Sequence, residues 1–198
     1  MPDSVLIRPA SPADAPAMLA IYAPYVRNTA VSFELEPPSQ EEFAGRVTHT
    51  LARFPWLAAV RNGEIVGYCY ASPFHPRAAY AWAAESSLYL APQVHGQGLG
   101  ARLYAELARC LEAQHVQSLN ACIACPRERD DPFLTPASLR FHRALGFSTW
   151  GHAKRCAFKF GRWYDMVWME KPVGRPATPP LPFRPFPQVR ESLFPGRA

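Results

Sequence analysis

The sequence predicts an α/β domain built on a mixed sheet. Strand and helix patterns follow one another in the order β-α-α-β-β-β-α-β-α-β-β. The chain has 198 residues, of which 48% are hydrophobic and 19% charged, so it is long enough and apolar enough to bury a normal core. We therefore expect one domain over residues 1–171, followed by a proline-rich tail over residues 172–198.

The first part of the chain predicts one strand and two helices. The strand covers residues 5–8. Ser11-Pro12-Ala13-Asp14 is typical of a helix start, because a serine cap is followed by a proline at the first helical position and an acid three residues after the cap. Apolar residues then recur at helical spacing as far as Tyr25. A second helix is expected over residues 40–51, after Pro37 and Pro38.

The middle of the chain predicts a hairpin, a strand and a long helix. Residues 57–61 and 64–71 have strand patterns on either side of Asn62-Gly63, a common hairpin turn. A further strand is expected over residues 80–90, ending at Ala91-Pro92. The helix is expected over residues 98–114, and its buried face is marked by leucines four residues apart: Leu99, Leu103, Leu107 and Leu111.

The last elements are a strand over residues 118–125, a short helix that opens at Thr135-Pro136 and ends at Gly146, and strands over 148–160 and 164–170. The tail that follows has eight prolines and little periodicity. This composition is typical of a flexible or extended segment, although its phenylalanines also suit docking onto the domain or onto a second subunit.

Composition and charge exclude several classes of protein. No apolar run approaches the roughly 18 to 20 residues that a membrane span needs, and the first residues lack a signal-peptide pattern. The five cysteines are scattered and odd in number, which is a poor disulfide framework. The net charge of +5 is dispersed, with no basic stripe on a predicted helix and no nucleic-acid motif. We therefore expect a cytoplasmic protein that binds neither membrane nor nucleic acid.

The segment His95-Gly96-Gln97-Gly98-Leu99-Gly100 lies between a predicted strand and a predicted helix. Glycines let the backbone approach a diphosphate closely, and N–H groups at a helix N-terminus attract its charge. A nucleoside triphosphate loop would end in Gly-Lys-Ser/Thr, whereas Gly100-Ala101-Arg102 stands here. The spacing also differs from the GxGxxG fingerprint of dinucleotide sites. A tight turn without a ligand remains the alternative.

Several separate motifs together give a resemblance to a known family. They are Ser32-Phe33-Glu34, Arg77-Ala78-Ala79-Tyr80, Glu85-Ser86-Ser87-Leu88-Tyr89, the glycine loop, residues 142–147 and Phe158-Lys159-Phe160-Gly161-Arg162-Trp163. Over residues 4–171 the chain resembles the GNAT N-acetyltransferases, and among them the phosphinothricin and methionine sulfoximine acetyltransferase group. The resemblance implies an α+β sandwich with a mixed, mostly antiparallel sheet flanked by helices. It also implies a splayed pair of strands that binds acetyl-CoA.

The resemblance also implies the cofactor residues. The pantetheine arm would lie along the strand at 88–90, with the diphosphate on the glycine loop and a further contact at the start of the 135–146 helix. The residues carried over are Leu88, Tyr89, Leu90, His95, Gly96, Gln97, Gly98, Leu99, Gly100, Ala101, Thr135 and Ser138. His95 replaces the arginine or glutamine of the family pattern, and Thr135 stands where the family has an asparagine.

Two residues are implied for catalysis. Glu85 lies in the position of the family's proposed base and would take a proton from the acceptor amine. Glu34 is the alternative base and otherwise orients the amine. His142 occupies the position of the group that protonates the departing thiolate. Each of these side chains also has a purely structural interpretation, such as an ion pair between Glu85 and Arg77.

The acceptor site is expected around Phe33, Glu34, Arg77 and Tyr80, since a guanidinium suits a carboxylate or phosphinate. We expect acetyl transfer from acetyl-CoA to the amine of a small amino acid or amino-acid analogue, with no metal. A protein or peptide N-acetyltransferase and a catalytically silent acyl-CoA-binding module are the alternatives. The aromatic residues of the last two strands favour a homodimer, although they also suit a core.

Overall fold

Residues 5–196 are described by the computed structural model, and their strands form one mixed sheet. The strands are β1 (Leu6–Pro9), β2 (Trp56–Arg61), β3 (Glu64–Pro73), β4 (Ala83–Leu90), β5 (Ser118–Cys125), β6 (Ser148–Lys159) and β7 (Arg162–Pro172). Their order in the sheet is β1-β2-β3-β4-β5-β7-β6. Neighbouring strands are antiparallel except β4 and β5, which are parallel. The expected mixed, mostly antiparallel sheet is confirmed.

Helices cover both faces of this sheet. They are α1 (Ala15–Asn28), α2 (Gln40–Leu51), α3 (Leu99–Ala113), α4 (Ala137–Ala144) and α5 (Phe186–Leu193). The ring of Tyr68 on β3 contacts Phe43 on α2, whereas the thiol of the next residue, Cys69, donates to the carbonyl of Leu103 on α3. Since successive side chains of a strand point to opposite faces, α2 and α3 lie on opposite sides of the sheet.

Two expected boundaries differ from the structure. The strand expected over residues 80–90 begins only at Ala83, because Ala78–Tyr80 form a 3-10 turn in which the amides of Tyr80 and Ala81 donate to the carbonyls of Arg77 and Ala78. These local bonds compete with the strand ladder. Helix α1 is preceded by a 3-10 turn at Pro12–Asp14, and the carboxylate of Asp14 accepts from the amide of Ser11 at 2.8 Å, as the capping motif predicts.

The proline-rich segment packs onto the domain. Helix α5 was not predicted from the sequence, and its Phe186 and Val189, together with Phe194 just after it, are almost fully buried. The amide side chain of Gln114, at the end of α3, donates to the carbonyls of Arg53 and Arg184. Helix α5 is therefore packed against the domain through buried side chains.

Over residues 5–196, no helix is long and apolar enough to cross a membrane, and no group of three or more His, Cys, Asp or Glu side chains forms a metal site. The cysteines in this range are all free. Cys122 and Cys125 lie on one strand three residues apart, so their side chains point to opposite faces of the sheet. This spacing therefore does not bring the two sulfurs together.

Candidate active site

The parallel strands β4 and β5 separate at Ser86. They pair from Ala83 with Ser118 up to Ser86 with Ala121, and the remaining residues of β4 have no partner on β5. Beyond that point β5 continues to pair with β7 on its other edge, as far as Cys125. The two strands thus enclose a V-shaped opening with its vertex at Ser86, in agreement with the expected splayed pair.

Backbone groups of β4 line this opening. The amide of Ala91, directly after β4, donates to the carbonyl of Val66, and the amide of Phe74 donates to the carbonyl of Ala83, so the backbone groups of these odd-numbered residues face β3. Because facing alternates along an antiparallel ladder, the backbone groups of Leu88 and Leu90 point the other way, into the V. An extended amide-containing ligand can therefore pair with β4 there as a strand would.

The glycine loop follows β4 on the side where β4 and β5 are no longer paired. Gly96 and Gly98 have φ angles of 73° and 76°, a left-handed conformation that favours glycine. Gly98 is the N-cap of α3 and supplies no side chain, so the first amides of the helix remain directed at the loop. A side chain at Gly100 would meet the ring of Phe141 at 3.0 Å and Leu88 at 3.2 Å. This backbone cradle suits a diphosphate at a helix N-terminus.

The side chain of His95 contacts the protein itself. Its Nε2 lies 3.0 Å from the hydroxyl of Tyr25 and 3.2 Å from the carbonyl of Leu90. The same hydroxyl donates to the Leu90 carbonyl at 2.7 Å. His95 thus ties the glycine loop to α1 and β4. The Leu90 carbonyl is already engaged, whereas its amide faces the V.

Glu85 lies one residue before the vertex. Its side chain is on the face of the sheet that also carries the side chain of Tyr70 and that is covered by α2. It pairs with Ser72 on β3 and with Asn120 on β5, and it is half-buried. Burial raises the pKa of its carboxyl, and His75 opposes that shift. A carboxylate with a raised pKa is a stronger base than an exposed one, as a proton acceptor for an amine requires.

His142 lies on the opposite face, within a buried chain of hydrogen bonds. Its Nδ1 donates to the carbonyl of Ser138 at 2.8 Å, and its Nε2 lies 2.7 Å from the hydroxyl of Tyr104. That hydroxyl is 3.0 Å from Oγ of Ser86, which donates to the carbonyl of Asn120 at 2.9 Å. The chain therefore runs from α4 through α3 to the vertex of the V.

The number of protons in this series of hydrogen bonds depends on the protonation state of His142. Carbonyl oxygens end it on both sides, so Nδ1 of His142 and Oγ of Ser86 must both donate outward. If His142 is neutral, Tyr104 donates to its Nε2 and no proton lies between Tyr104 and Ser86. If His142 is protonated, Nε2 donates to Tyr104 and Tyr104 donates to Ser86, so every contact is a hydrogen bond. Burial lowers the pKa of His142, and the bond to Ser138 opposes that shift. The chain therefore has a place for one further proton.

Phe33 and Glu34 follow α1 and lie on the Glu85 face. The ring of Phe33 is 6.1 Å from that of Tyr164. Oε1 of Glu34 accepts from Arg46 at 2.6 Å, while its Oε2 is buried without a hydrogen-bond partner among the described residues. The pKa of Tyr70 is raised chiefly by burial, and both Glu34 and Glu85 raise it further. Both carboxylates are therefore near enough to Tyr70 to influence its hydroxyl.

Arg77 and Tyr80 lie on the connection between β3 and β4, and both are exposed. The ring of Tyr80 contacts Phe74 at 5.9 Å and His75 at 4.9 Å. His75 in turn opposes the upward pKa shift of the Glu85 carboxyl, so the connection lies near that carboxyl. Thr135 and Ser138 lie at the start of α4, where Oγ1 of Thr135 accepts from the amide of Ala137 at 3.4 Å.

A family comparison decides what this arrangement is. The protein-family model described as acetyltransferase (GNAT) domain matches residues 7–168 of this sequence. The chain belongs to the GNAT acetyltransferase family. Acetyl-CoA is thus its cosubstrate, and the V-shaped opening and the glycine loop provide the backbone groups that suit its pantetheine arm and diphosphate.

Individual relatives of this GNAT acetyltransferase narrow the comparison. A phosphinothricin N-acetyltransferase of Alcaligenes faecalis is 43% identical over 162 residues, covering 81% of this chain and 78% of the relative. A phosphinothricin acetyltransferase of Sinorhizobium meliloti, solved in complex with AcCoA, has a TM-score of 0.80 and 33% identity, covering 92% of this chain and 98% of that one. A ribosomal-protein-alanine N-acetyltransferase of Brucella melitensis has a TM-score of 0.77 and 35% identity, covering 85% and 99%.

Several residues that hold the candidate site residues in place were not predicted from the sequence. Tyr104 joins His142 to Ser86, Arg46 holds Glu34, and Tyr25 holds Leu90 and His95. Tyr104 stands beside the leucine stripe of α3, where the pattern favours core. A buried tyrosine hydroxyl needs a hydrogen-bond partner, so a tyrosine beside a buried helix face indicates a polar contact in the core.

Proposed function

We propose that this acetyltransferase moves the acetyl group of acetyl-CoA to the amine of a small amino acid or amino-acid analogue of the phosphinothricin or methionine sulfoximine type. The observation that carries the proposal is the vertex of the V, which has a carboxylate on one face of β4 and a buried histidine chain on the other. The names of the relatives from Alcaligenes faecalis and Sinorhizobium meliloti support the acceptor class.

In the proposed reaction, Glu85 accepts a proton from the acceptor ammonium, directly or through a water. The free amine then forms a bond to the thioester carbonyl carbon, and the carbon–sulfur bond breaks. A backbone N–H of β4 within the V polarises the carbonyl oxygen. The chain of His142, Tyr104 and Ser86 delivers a proton to the sulfur. Glu85 returns its proton to solvent, and His142 takes one up, so the proton count balances.

Glu34 has a positioning role in this scheme. Its Oε1 is held by Arg46, and its buried Oε2 has no hydrogen-bond partner within residues 5–196. An acceptor ammonium that reaches Oε2 would satisfy a buried acceptor atom. Phe33, Tyr80 and Arg77 then border the remainder of the acceptor, with the guanidinium of Arg77 available for an anionic group.

The test follows the release of free thiol from acetyl-CoA. Methionine sulfoximine, phosphinothricin, free amino acids, polyamines and a peptide with an N-terminal alanine serve as acceptors. We expect release with the first two, and a loss of kcat of about 100-fold in Glu85→Gln with an unchanged Kd for acetyl-CoA. Glu64→Gln, an exposed hairpin residue, controls for the lost charge.

The peptide arm tests a second candidate function. The similarity to the ribosomal-protein-alanine N-acetyltransferase favours a protein acceptor. Release with the peptide alone would support that function and overturn the small-molecule proposal. Tight binding of acetyl-CoA with no release on any amine would favour a silent acyl-CoA-binding module.

We also propose that the enzyme is a cytoplasmic homodimer. Trp150, Phe158 and Trp163 lie on β6 and β7 and are 49%, 55% and 51% exposed, and β6 is an edge strand of the sheet. Exposed aromatic side chains beside a sheet edge favour an interface between subunits. Light scattering on the eluted protein should give twice the chain mass, and Trp163→Ser should reduce the measured mass.

The free cysteines favour a cytoplasmic location, which cell fractionation tests.

A further inference from the structure

Lys159 is a buried cation at the end of β6, with 4% of its surface exposed. It precedes the tight turn to β7, in which Phe160 and Gly161 have φ angles of 51° and 72°. Burial lowers the pKa of its ammonium, and the negative charge of Glu34 opposes that shift. A hydrophobic residue of similar length would fill the same space without that cost, so the charge itself calls for an explanation.

All three protons of this ammonium are committed to backbone carbonyls. Nζ donates to Val26 at 2.7 Å, to Thr29 at 3.0 Å and to Ser32 at 2.7 Å. An ammonium has three donors, so none remains for an anionic substrate. Val26 lies in the last turn of α1, where carbonyls are unpaired and the helix dipole favours a cation.

The bound carbonyls belong to the segment that leads into Phe33 and Glu34. The same segment is held from other sides as well. The hydroxyls of Ser32 and Tyr22 are 2.7 Å apart, and the amide of Ala30 donates to the carbonyl of Phe133 at 3.0 Å. Oγ of Ser32 also accepts from the amide of Glu34 at 3.2 Å. The position of Glu34 therefore depends on Ser32, whose carbonyl Lys159 binds.

We propose that Lys159 is a positioning residue, whose ammonium shapes the segment at residues 29–34 so that Phe33 and Glu34 face the acceptor. The inference rests on the proposed function, since it assigns these two side chains to the acceptor. It differs from an electrostatic role for Lys159, because what matters is the simultaneous reach to three carbonyls. Within residues 5–196, the ammonium of Lys159 donates to Val26, Thr29 and Ser32 and not to β4 or the glycine loop, so acetyl-CoA binding is expected to be independent of it.

The test compares Lys159→Met with Lys154→Met, which removes an exposed lysine from the same strand. We expect Lys159→Met to raise KM for methionine sulfoximine about tenfold or more, because Phe33 and Glu34 would no longer be aligned with the acceptor. The kcat and the Kd for acetyl-CoA should change less than about threefold. Lys154→Met should behave as the wild type. Equal KM values in folded Lys159→Met and wild type would overturn the proposal, as would an equal rise in the Kd for acetyl-CoA.

Lys159→Arg separates position from charge, since a planar guanidinium keeps the charge but cannot converge on three carbonyls in the same way. A KM raised as in Lys159→Met supports the proposal, and a wild-type KM contradicts it.

Hydrogen exchange gives a readout that needs no turnover. Peptides covering residues 29–34 should exchange faster in Lys159→Met, while those of α3 stay unchanged. If the wild type itself transfers no acetyl group, the proposed function fails, and exchange still tests Lys159; unchanged exchange at 29–34 would overturn its role. Should Lys159→Met not fold, Lys159→Gln, which keeps two donors, takes its place with the same criteria.

Discussion

Glu85 is half-buried on β4, and burial raises the pKa of its carboxyl. This raised pKa has a consequence for stability as well as for catalysis. Below the pKa of the unfolded chain, the carboxyl is neutral in both states and the fold bears no cost. As pH rises through the folded pKa, the unfolded state has already lost its proton, so the stability contributed by the neutral form is lost.

Replacement of Glu85 by glutamine removes that loss. We expect Glu85→Gln to be more stable than the wild type at pH 7.5, with a difference that shrinks as pH falls towards the ordinary pKa of a carboxyl. Denaturant unfolding of both proteins across this range measures the difference, with Glu64→Gln as the control for one lost negative charge. A difference that does not vary with pH would mean that burial does not perturb Glu85.

The elements that form the V are predictable from the sequence to different degrees. The glycine loop and the start of α3 are visible in the sequence because glycine spacing and a leucine stripe are local signals. The vertex at Ser86 is not visible, since it depends on where β4 and β5 stop pairing, a contact between residues far apart in the chain. The 3-10 turn at Ala78–Tyr80 was missed because an apolar, aromatic run also fits a strand.

Side-chain partners in the site show the same limit. Glu85 and His142 were expected from motifs, whereas the Tyr104 hydroxyl that joins His142 to the vertex was not. A hydrogen bond between α3 and α4 depends on how two helices pack on the sheet. A one-dimensional pattern records that Tyr104 is near the buried face, but not which atom its hydroxyl meets.

The glycine loop allows a test with a matched control. Gly98 and Gly63 both have a left-handed backbone, with φ angles of 76° and 84°, and an added Cβ would meet nothing within 4 Å at either. Alanine at either site should cost about 1–2 kcal/mol of stability through backbone strain. Gly98→Ala alone should raise the Kd for acetyl-CoA, by about tenfold, since it disturbs the diphosphate cradle. Equal Kd values for the two variants in a titration would remove the loop from the binding site.

At the scale of the whole molecule, the segment after β7 acts on the end of α3 that is remote from the glycine loop. The amide of Arg184 donates to the carbonyl of Gln114, and the carbonyl of Pro182 accepts from His115. The guanidinium of Arg109 lies 5.0 Å from the ring of Phe194. Most of the prolines that suggest disorder precede α5, and Pro187 lies in its first turn, so they obscure the apolar spacing of Phe186, Val189 and Leu193.

Helix α5 is therefore expected to stabilise the domain without taking part in binding. Phe186 is 1% exposed, so Phe186→Ala should lose about 3–5 kcal/mol of unfolding free energy, as buried phenylalanine truncations do. Leu181→Ala, at a residue 54% exposed, is the control and should lose far less. Because α5 contacts the C-terminal end of α3, and the diphosphate cradle lies at its N-terminal end, the Kd for acetyl-CoA measured well below Tm should stay the same in both variants. A weaker Kd in Phe186→Ala alone would show that the docked segment transmits its packing along α3 to the cofactor end.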